Sequence, residues 1–336
     1  MSESPPDTQA ASAATARPAT DKTFPLPTRV RIEASSFCQL RCPSCPTTTR
    51  AIDPHVGRGM LDPEAFRRFL EQHPGVRTVE LSNYGEPFLN PHLARLLEIA
   101  AAHDVTSSID NGANLNNARP EMLEAIVRHG VQTLRVSIDG ATQETYERYR
   151  VRGDLARVLD NIRLINDWKN RLASKTPHLI WQMILFEHNR HEVNAARALA
   201  KSLSMEFALK LSWDEELAPR DYGGDLAESL GLKAVTRSDF EQQTGKAYLT
   251  RICHQLWLEP AVNWDGKMLG CCRNFWGDFG ANVFRDGLQA AVNHEKYTYA
   301  RAMLQGQAPP RDDIPCSTCE LYEKRRESGR WVKIYY

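Results

Sequence analysis

Three cysteines stand within eight residues near the start of the chain, in the spacing Cys38-x3-Cys42-x2-Cys45. Thiols this close together cannot all pair as disulfides, but one loop can turn all three toward a single metal centre. A structural zinc site wants four protein ligands, and the nearest further candidate is His55. A 4Fe–4S cube held by three thiolates keeps one iron open, and an open iron can bind and activate a ligand. The spacing therefore favours an open cluster over half of a zinc ribbon.

The remaining cysteines lie far downstream. The chain has 336 residues and eight cysteines, and the other five are Cys253, Cys271, Cys272, Cys316 and Cys319. A disulfide scaffold would not leave such a long cysteine-free stretch in a chain of this size. Clustered cysteines indicate metal ligands instead.

Composition restricts the possible partners. Hydrophobic residues make up 42% and charged residues 25%, as in a globular protein with a sizeable core. Lys and Arg number 42, as do Asp and Glu, so no basic excess points to nucleic acid or an anionic membrane. No apolar run is long enough to span a bilayer, and no secretory signal is evident. We expect a cytoplasmic protein without a membrane or nucleic-acid partner, and a disordered tail over residues 1–28.

Short apolar strands alternate with amphipathic helices along the first two thirds of the chain. This alternation predicts βαβ units and a parallel sheet, with the functional groups at the carboxyl ends of the strands. Asp62 and Pro63 have the N-cap and N1 chemistry that begins the first helix. We predict strands at 30–32, 78–82, 105–109, 132–138, 179–185 and 207–211, and helices at 63–72, 91–102, 120–129, 155–172 and 191–202.

The rest of the chain divides into two predicted parts. Residues 213–250 are polar and are interpreted as a linker or mobile loop. Residues 251–336 are predicted to form a small β-hairpin and helix domain, because Asp265-Gly266 between two β-type runs is a strong hairpin signal. A helix around 297–304 and the Cys316-x2-Cys319 knuckle follow.

The cysteine triplet, placed just after a short strand, resembles the signature of the radical S-adenosylmethionine (radical SAM) enzymes. In this family the open iron chelates the amino and carboxylate groups of S-adenosylmethionine. An electron then cleaves this cofactor to methionine and a 5′-deoxyadenosyl radical, which abstracts a hydrogen atom from substrate. The resemblance implies a partial (β/α)6 barrel over residues 29–212 and an electron donor such as flavodoxin or ferredoxin.

Tyr84, Gly85 and Glu86, which follow the second strand, resemble the family's motif for the methionine amino group, where Gly-Gly-Glu is usual. The alternative is an ordinary turn with a solvated Glu86. Ser44 departs from the family, because the residue before the third cysteine is often aromatic and packs near the adenine.

Ser137 and Asp139 resemble the segment that lines the ribose and the methionine carboxylate. They share one face of the fourth strand, although Asp139-Gly140 also fits a simple turn. Asn111, which follows the third predicted strand, is a weaker indication of the same cofactor-binding edge of the sheet. Arg150 and Arg152 have the geometry to clamp a carboxylate, or they are solvated charges at the end of a helix.

The C-terminal cysteines resemble the SPASM extension of the family. In that extension a hairpin and a knuckle hold an auxiliary 4Fe–4S cluster, here with Cys253, Cys271, Cys316 and Cys319. The full pattern has another cysteine after five further residues beyond the knuckle, at the position where this chain has Arg325. The resemblance is thus to the shortened twitch form, with one auxiliary cluster on four cysteines; structural zinc is the alternative.

Cys272 is left over, and on a strand it would face away from Cys271. It is either an inert buried thiol or the hydrogen-atom donor of an epimerase. The first functional hypothesis is a twitch-type dehydrogenase of a small-molecule or carbohydrate-like substrate, similar to those of aminocyclitol biosynthesis, whose auxiliary cluster accepts an electron.

Three other functions stay open. A radical epimerase would use Cys272. A peptide-modifying maturase ranks lower, since residues 1–29 are too short for the leader-recognition domain that such enzymes often carry. A non-enzymatic zinc or iron–sulfur protein is the alternative from a different class.

Overall fold

A computed structural model describes residues 25–221, 225–249 and 251–334. Most of the predicted N-terminal tail, residues 1–24, lies outside the described residues. The strands that begin the fold are β1 (Arg29–Ile32), β2 (Thr78–Glu80), β3 (Thr106–Ala113), β4 (Thr133–Ser137), β5 (His178–Leu185) and β6 (Glu206–Leu211). The helices that alternate with them are α1 (Pro63–Gln72), α2 (Leu93–Ala102), α3 (Pro120–Arg128), α4 (Gln143–Tyr149), α5 (Leu155–Arg171) and α6 (Val193–Ser202).

The six strands pair in parallel with their neighbours in sequence, so the predicted parallel sheet is confirmed. Two later strands extend this sheet beyond β1: β7 (Ala261–Val262) and β8 (Met268–Gly270). The full order is β6-β5-β4-β3-β2-β1-β7-β8. Strand β7 is parallel to β1 and antiparallel to β8.

Alternation along the strands gives the sheet two unlike faces. Val30, Ile32, Val79, Leu134 and Val136 belong to the buried core under the helices. The residues between them in sequence point to the opposite, concave face and are largely polar. The apolar face drives the packing of the helices, and the concave face is left for chemistry.

Helix α1 shows how local sequence sets the helical layer. The Asp62 side chain accepts a hydrogen bond from the backbone N–H of Ala65, and Pro63 occupies the first turn. Phe66, Phe69 and Leu70 are buried against the sheet. Burying each such side chain contributes about 1.5–3 kcal/mol.

One strand and one helix in the first part of the chain differ from the sequence prediction. Strand β3 does not end at Asp110-Asn111-Gly112 but continues to Ala113, with a shift in register after Ile109. Gly112 makes the irregularity possible, since its φ of 119° suits glycine. Helix α4 was not predicted, because its seven residues are too few to show an apolar period.

The segment predicted as a linker or mobile loop, residues 213–250, contains α7 (Asp225–Leu230) and α8 (Arg237–Thr244) in its described part. Neither helix was predicted. Both helices are short and polar, and α8 has no buried residue, so hydrophobic periodicity could not reveal them. Residues 222–224 and 250 of this segment lie outside the described residues.

The C-terminal region contains the predicted hairpin, with Gly266 at φ 88° in its turn. It packs against the end of α1, where the His73 imidazole accepts the backbone N–H of Leu288 at 2.8 Å. The remaining helices are α9 (Gln255–Leu258), α10 (Val283–Asp286), α11 (Leu288–Val292), α12 (Glu295–Leu304) and α13 (Glu320–Ser328).

Across the described ranges, every helix is too short or too polar to cross a lipid bilayer.

Candidate active site

The cysteine triplet occupies the loop that leaves the carboxyl end of β1. Cys42 is buried at 5% exposure, whereas Cys38 and Cys45 are half-buried. The backbone N–H of Cys45 bonds to the carbonyl of Cys42 at 3.1 Å, so the chain turns tightly between these two ligand candidates. All three thiols contact one small apolar cluster with Tyr149 and Phe186. The structure therefore brings the three predicted ligands together at the edge of the sheet.

The electrostatics of these thiols suit a bound cation. Burial raises the pKa of Cys38 to about 12, and the charges of Glu86, Cys42 and Cys45 add to this effect. Burial also raises the pKa of Cys42. Thiolates so placed repel each other, and coordinated iron relieves that repulsion because a metal deprotonates the thiols that ligate it.

A single metal ion would need these side chains closer together. Within the described residues, no group of three or more Cys, His, Asp or Glu side chains is placed to hold one ion. A four-iron cube takes one thiolate at each corner, and its ligands are accordingly more widely spaced than those of one zinc ion.

The Tyr84-Gly85-Glu86 turn is fastened to the loop that leads to Cys38. Buried Glu33, which the sequence analysis did not single out, accepts the backbone N–H groups of Tyr84 at 2.7 Å and Gly85 at 3.2 Å. The backbone N–H of Glu86 bonds to the carbonyl of Phe37 at 2.7 Å. Turn and cysteine loop are therefore one rigid unit.

Glu86 itself is buried rather than solvated, at 1% exposure. Its carboxylate accepts backbone N–H groups from Asn114 at 2.6 Å and from Phe88 at 3.3 Å. Burial raises its pKa to about 7, against the lowering effect of these hydrogen bonds. Glu86 thus holds the carboxyl ends of β2 and β3 together beside Cys38.

Ser137, Gly112 and Gln182 form the adjoining rim. The Ser137 hydroxyl lies 3.4 Å from Gln182 Nε2, and a Cβ at Gly112 would collide with Ser137 Oγ. Gln182 Oε1 is buried and has no hydrogen-bond partner within the described part of the chain. Asn111 donates from its side chain to the carbonyl of Asn83 at 2.8 Å. A polar cofactor fits a rim with a close backbone approach and an unpaired buried oxygen.

Asp139 and Arg150 form an ion pair beside the triplet. Asp139 is fully buried and meets Arg150 Nε at 2.6 Å, while its other oxygen accepts the backbone N–H of Ile184 at 2.6 Å. Arg150 Nη1 lies 3.7 Å from Cys42 Sγ. Arg152 is exposed. Of the two predicted arginines, the structure thus brings only Arg150 to the site.

Ser44 leaves the cysteine loop without its own aromatic ring, but another ring is adjacent. The Tyr149 hydroxyl lies 3.3 Å from Ser44 Oγ, and the Tyr149 ring packs on Phe186 with centroids 4.3 Å apart. Burial raises the pKa of Tyr149 to about 12, so it stays a neutral hydrogen-bonding group. The aromatic surface at this point comes from α4.

The concave face of the sheet carries charged residues that the sequence analysis missed. Arg31 is 7% exposed; it donates to the carbonyl of Ser82 at 2.8 Å and lies 3.9 Å from Glu80. Arg135 on β4 pairs with Asp110 on β3 at 2.8 Å. The sequence pattern that indicates this face is the alternation in Val30-Arg31-Ile32-Glu33, which puts the side chains of Arg31 and Glu33 on the same side of β1.

Lys210 on β6 faces the same space. Burial lowers its pKa to about 8, and the neighbouring charge of Arg135 lowers it further, whereas Asp110 and Cys272 oppose the shift. No ion pair of Lys210 is present among the described residues. The concave face therefore carries paired charges together with the Lys210 amine, whose pKa of about 8 is close to neutral pH.

The four C-terminal cysteines also come together. Burial raises the pKa of Cys316, and the thiols of Cys271, Cys253 and Cys319 raise it further. Burial likewise raises the pKa of Cys271, with contributions from its neighbours. Four thiols at one place match the ligand number of a closed 4Fe–4S cluster.

The charge of Cys272 acts on Arg31 and Lys210, which belong to the concave face. Both Cys271 and Cys272 act on Tyr84 at its rim. The backbone N–H of Cys272 is held by the Gln255 side chain at 2.9 Å. Cys271 therefore lies with the other C-terminal thiols, and its neighbour Cys272 lies near the charged residues of the concave face.

Residues 32–172 match the family model of the Radical SAM superfamily. This segment, which includes the triplet, the Tyr84-Gly85-Glu86 turn and the rim at Ser137, is therefore similar to the radical SAM superfamily. This family implies a 4Fe–4S cluster and S-adenosylmethionine as cofactors, and the residues described above fit both.

Among curated proteins, the AdoMet-dependent heme synthase of Methanosarcina barkeri (strain Fusaro / DSM 804) is 26% identical over 141 residues. The match covers 41% of this chain and 39% of the heme synthase. Streptococcus suis SuiB bound to S-adenosylmethionine shares the fold with a TM-score of 0.60 and 14% identity, over 89% of this chain and 72% of SuiB.

BtrN in complex with AdoMet and 2-DOIA has a TM-score of 0.50 and 16% identity, over 88% of this chain and 94% of BtrN. These structural likenesses concern the α/β fold with its parallel sheet. They do not extend to the twitch extension, the second cluster or the substrate.

Proposed function

We propose that this chain is a radical SAM oxidoreductase that dehydrogenates a small-molecule or carbohydrate-like substrate. A second 4Fe–4S cluster, bound by Cys253, Cys271, Cys316 and Cys319 in a twitch-type domain, accepts an electron from the substrate radical. The observation that carries this proposal is the convergence of those four thiols next to a cysteine that faces the concave space. Four protein ligands leave no iron open, which suits electron transfer better than substrate chelation.

Cys38, Cys42 and Cys45 hold the first cluster in this account. With S-adenosylmethionine and an external electron, that cluster supplies the radical that abstracts a hydrogen atom. Glu33 and Glu86 fix the turn that receives the methionine amino group. Tyr84, Asn111, Ser137, Asp139 and Arg150 are the remaining groups assigned to cofactor binding.

Oxidation of a carbinol also releases a proton, and Lys210 is the residue assigned to accept it. A general base works best when its pKa lies near the working pH, and burial together with Arg135 brings the pKa of Lys210 to about 8. The paired charges of Arg31, Glu80, Asp110 and Arg135 offer hydrogen bonds to a polyhydroxylated substrate.

A flavodoxin or ferredoxin is the proposed electron donor for the first cluster. The cytoplasm is the proposed compartment, because reducing conditions preserve free thiols.

The proposal is tested by anaerobic turnover with S-adenosylmethionine and dithionite on a panel of polyols and aminocyclitols in deuterated water. The expected result is 5′-deoxyadenosine and a ketone product in equal amounts. Cys271→Ala should abolish the ketone but keep reductive cleavage of S-adenosylmethionine, while the matched variant Cys272→Ala should keep both. A product of unchanged oxidation level that carries solvent deuterium would contradict dehydrogenation.

A radical epimerase is the second candidate, favoured by the placement of Cys272 toward Arg31, Tyr84 and Lys210. In that reaction the Cys272 thiol returns a hydrogen atom to the substrate radical. The same experiment separates the two, since epimerisation predicts solvent deuterium in the product and its loss in Cys272→Ala.

A further inference from the structure

Arg325 lies against the sulfur of one C-terminal thiol. Its Nε is 3.4 Å from Cys253 Sγ, within hydrogen-bonding range for sulfur. Its Nη1 donates to the carbonyl of Arg330 at 2.9 Å, which fixes the guanidinium from the other side. Arg325 belongs to α13, the helix that follows the Cys316–Cys319 knuckle.

The positive charge of Arg325 lies next to a thiol that is buried from solvent. Cys253 is 7% exposed, and burial raises the pKa of its thiol while Arg325 acts to lower it. Charge-assisted hydrogen bonds are stronger than neutral ones, and a low local dielectric strengthens them further. The guanidinium therefore stabilises negative charge on this sulfur.

The position of Arg325 in the sequence is relevant to this contact. Arg325 stands at the position where the full SPASM pattern has a cysteine, six residues after Cys319 in this chain's numbering. In place of a further thiolate, this chain has a permanent cation bonded to the first of the four thiols.

We propose that Arg325 raises the reduction potential of the auxiliary cluster by donating a hydrogen bond to the Cys253 thiolate. This inference rests on the proposed function, which puts a 4Fe–4S cluster on the four cysteines. Reduction adds one negative charge to a cluster, and hydrogen bonds and positive charge near its sulfurs favour the reduced form. Arg325 acts through Cys253 and makes the cluster a better acceptor for the substrate's electron.

The test uses the full chain with Cys38, Cys42 and Cys45 all changed to Ala, so that the auxiliary cluster is the one that remains. Its reduction is followed by electron paramagnetic resonance during a redox titration, without substrate. In Arg325→Gln we expect the ratio of reduced to oxidised cluster at a fixed potential to fall about tenfold, which is about 59 mV for one electron. Arg325→Lys keeps the charge and should recover most of the potential.

The matched control is Arg326→Gln, which removes the same charge from an exposed side chain one residue along the same helix. Its potential should stay close to that of the parent. Equal shifts in the two glutamine variants, or no shift with about four irons retained, would overturn the inference. Failure of both Arg325 variants to hold iron would also overturn it, because Arg325 would then act in assembly.

These outcomes are distinguishable from failure of the proposed function. If the parent with the three alanines holds no iron–sulfur cluster, the auxiliary cluster itself is absent and the proposed function fails first. If the parent holds about four irons, the comparison of Arg325 with Arg326 decides the inference alone.

Discussion

Gly85 lies where the turn proposed to receive the cofactor amino group touches the cysteine loop. A Cβ at this position would strike the backbone of Ser35, Ser36 and Phe37, which cannot move without moving Cys38. Overpacking of this kind costs about 1–3 kcal/mol. We therefore expect Gly85→Ala to weaken binding of S-adenosylmethionine about tenfold or more, measured by equilibrium dialysis on reconstituted protein.

The matched control for this substitution is Gly75→Ala, because a Cβ at Gly75 meets no atom within 4 Å. Its affinity for S-adenosylmethionine should equal that of the wild type. Equal affinities for all three proteins would show that the turn does not depend on the close approach at Gly85.

Glu33 links the pH dependence of stability to the same turn. Burial raises its pKa from 4.5 to about 7. Between these two values the native protein keeps the proton that the unfolded chain has lost, so stability falls as pH rises and levels off above about pH 7. We expect Glu33→Gln to remove this contribution, at most about 1.4 kcal/mol per pH unit.

The measurement is the free energy of unfolding by urea at pH 5, 6, 7 and 8 for wild type and Glu33→Gln. The variant should gain stability relative to wild type as the pH rises from 5 to 7. Glu86 has a similarly raised pKa, but it is present in both proteins and cancels in the difference. Parallel pH profiles would show that Glu33 is ionised in the native state throughout.

The residues of the site were predictable to different degrees. The seven cysteines and the Tyr84 to Glu86 turn have fixed spacings, so sequence alone indicated them. Glu33, Arg31 and Lys210 act through their position on a shared face of separate strands. Alternation along β1 indicates that Arg31 and Glu33 share a face. Which residues of the other strands lie beside them depends on the register of the strands, which spacing along the chain does not reveal.

At the scale of elements, Arg150 joins α4 to the end of β4 and to the cysteine loop. It caps the C-terminus of α4 and meets buried Asp139 at 2.6 Å. Asp139→Asn leaves this mostly buried guanidinium without its counter-charge, although the new amide oxygen still accepts the N–H of Ile184. Breaking a buried pair in this way costs about 3–5 kcal/mol, measured as the free energy of unfolding in urea.

The control is Asp160→Asn, which breaks the exposed pair of Asp160 with Arg163 on α5. Exposed pairs contribute about 1 kcal/mol or less. A loss in Asp139→Asn no larger than that in Asp160→Asn would contradict the structural role assigned to the pair.

The elements themselves were predicted where hydrophobic periodicity was strong. Helix α1 has the predicted bounds, since its cap, its first-turn proline and its apolar face all agree. Helices α4, α7, α9, α10 and α11 were missed because each has seven residues or fewer, and α8 and α13 were missed because they bury few or no apolar residues. Their positions depend on tertiary contacts such as the pair of Lys324 with Glu241 at 2.7 Å, which joins α13 to α8.

At the scale of the whole molecule, the C-terminal region extends the parallel sheet formed by the first six strands. Strand β7 extends the sheet beyond β1, and the buried core is continuous from Val30 to Val332. Trp264 and Asn263 both donate to the carbonyl of Val56, which ties the hairpin to the segment after the cysteine triplet. The triplet follows β1 and Cys271 follows β8, and β7 lies between these two strands in the sheet.

The most direct test of this account is the iron and sulfide content of the anaerobically reconstituted protein, compared between wild type and Cys253→Ala. We expect about eight irons in the wild type and about four in the variant, because each 4Fe–4S cluster contributes four. About four irons in both proteins, with zinc bound in the wild type, would contradict the auxiliary electron acceptor and the dehydrogenase function that depends on it.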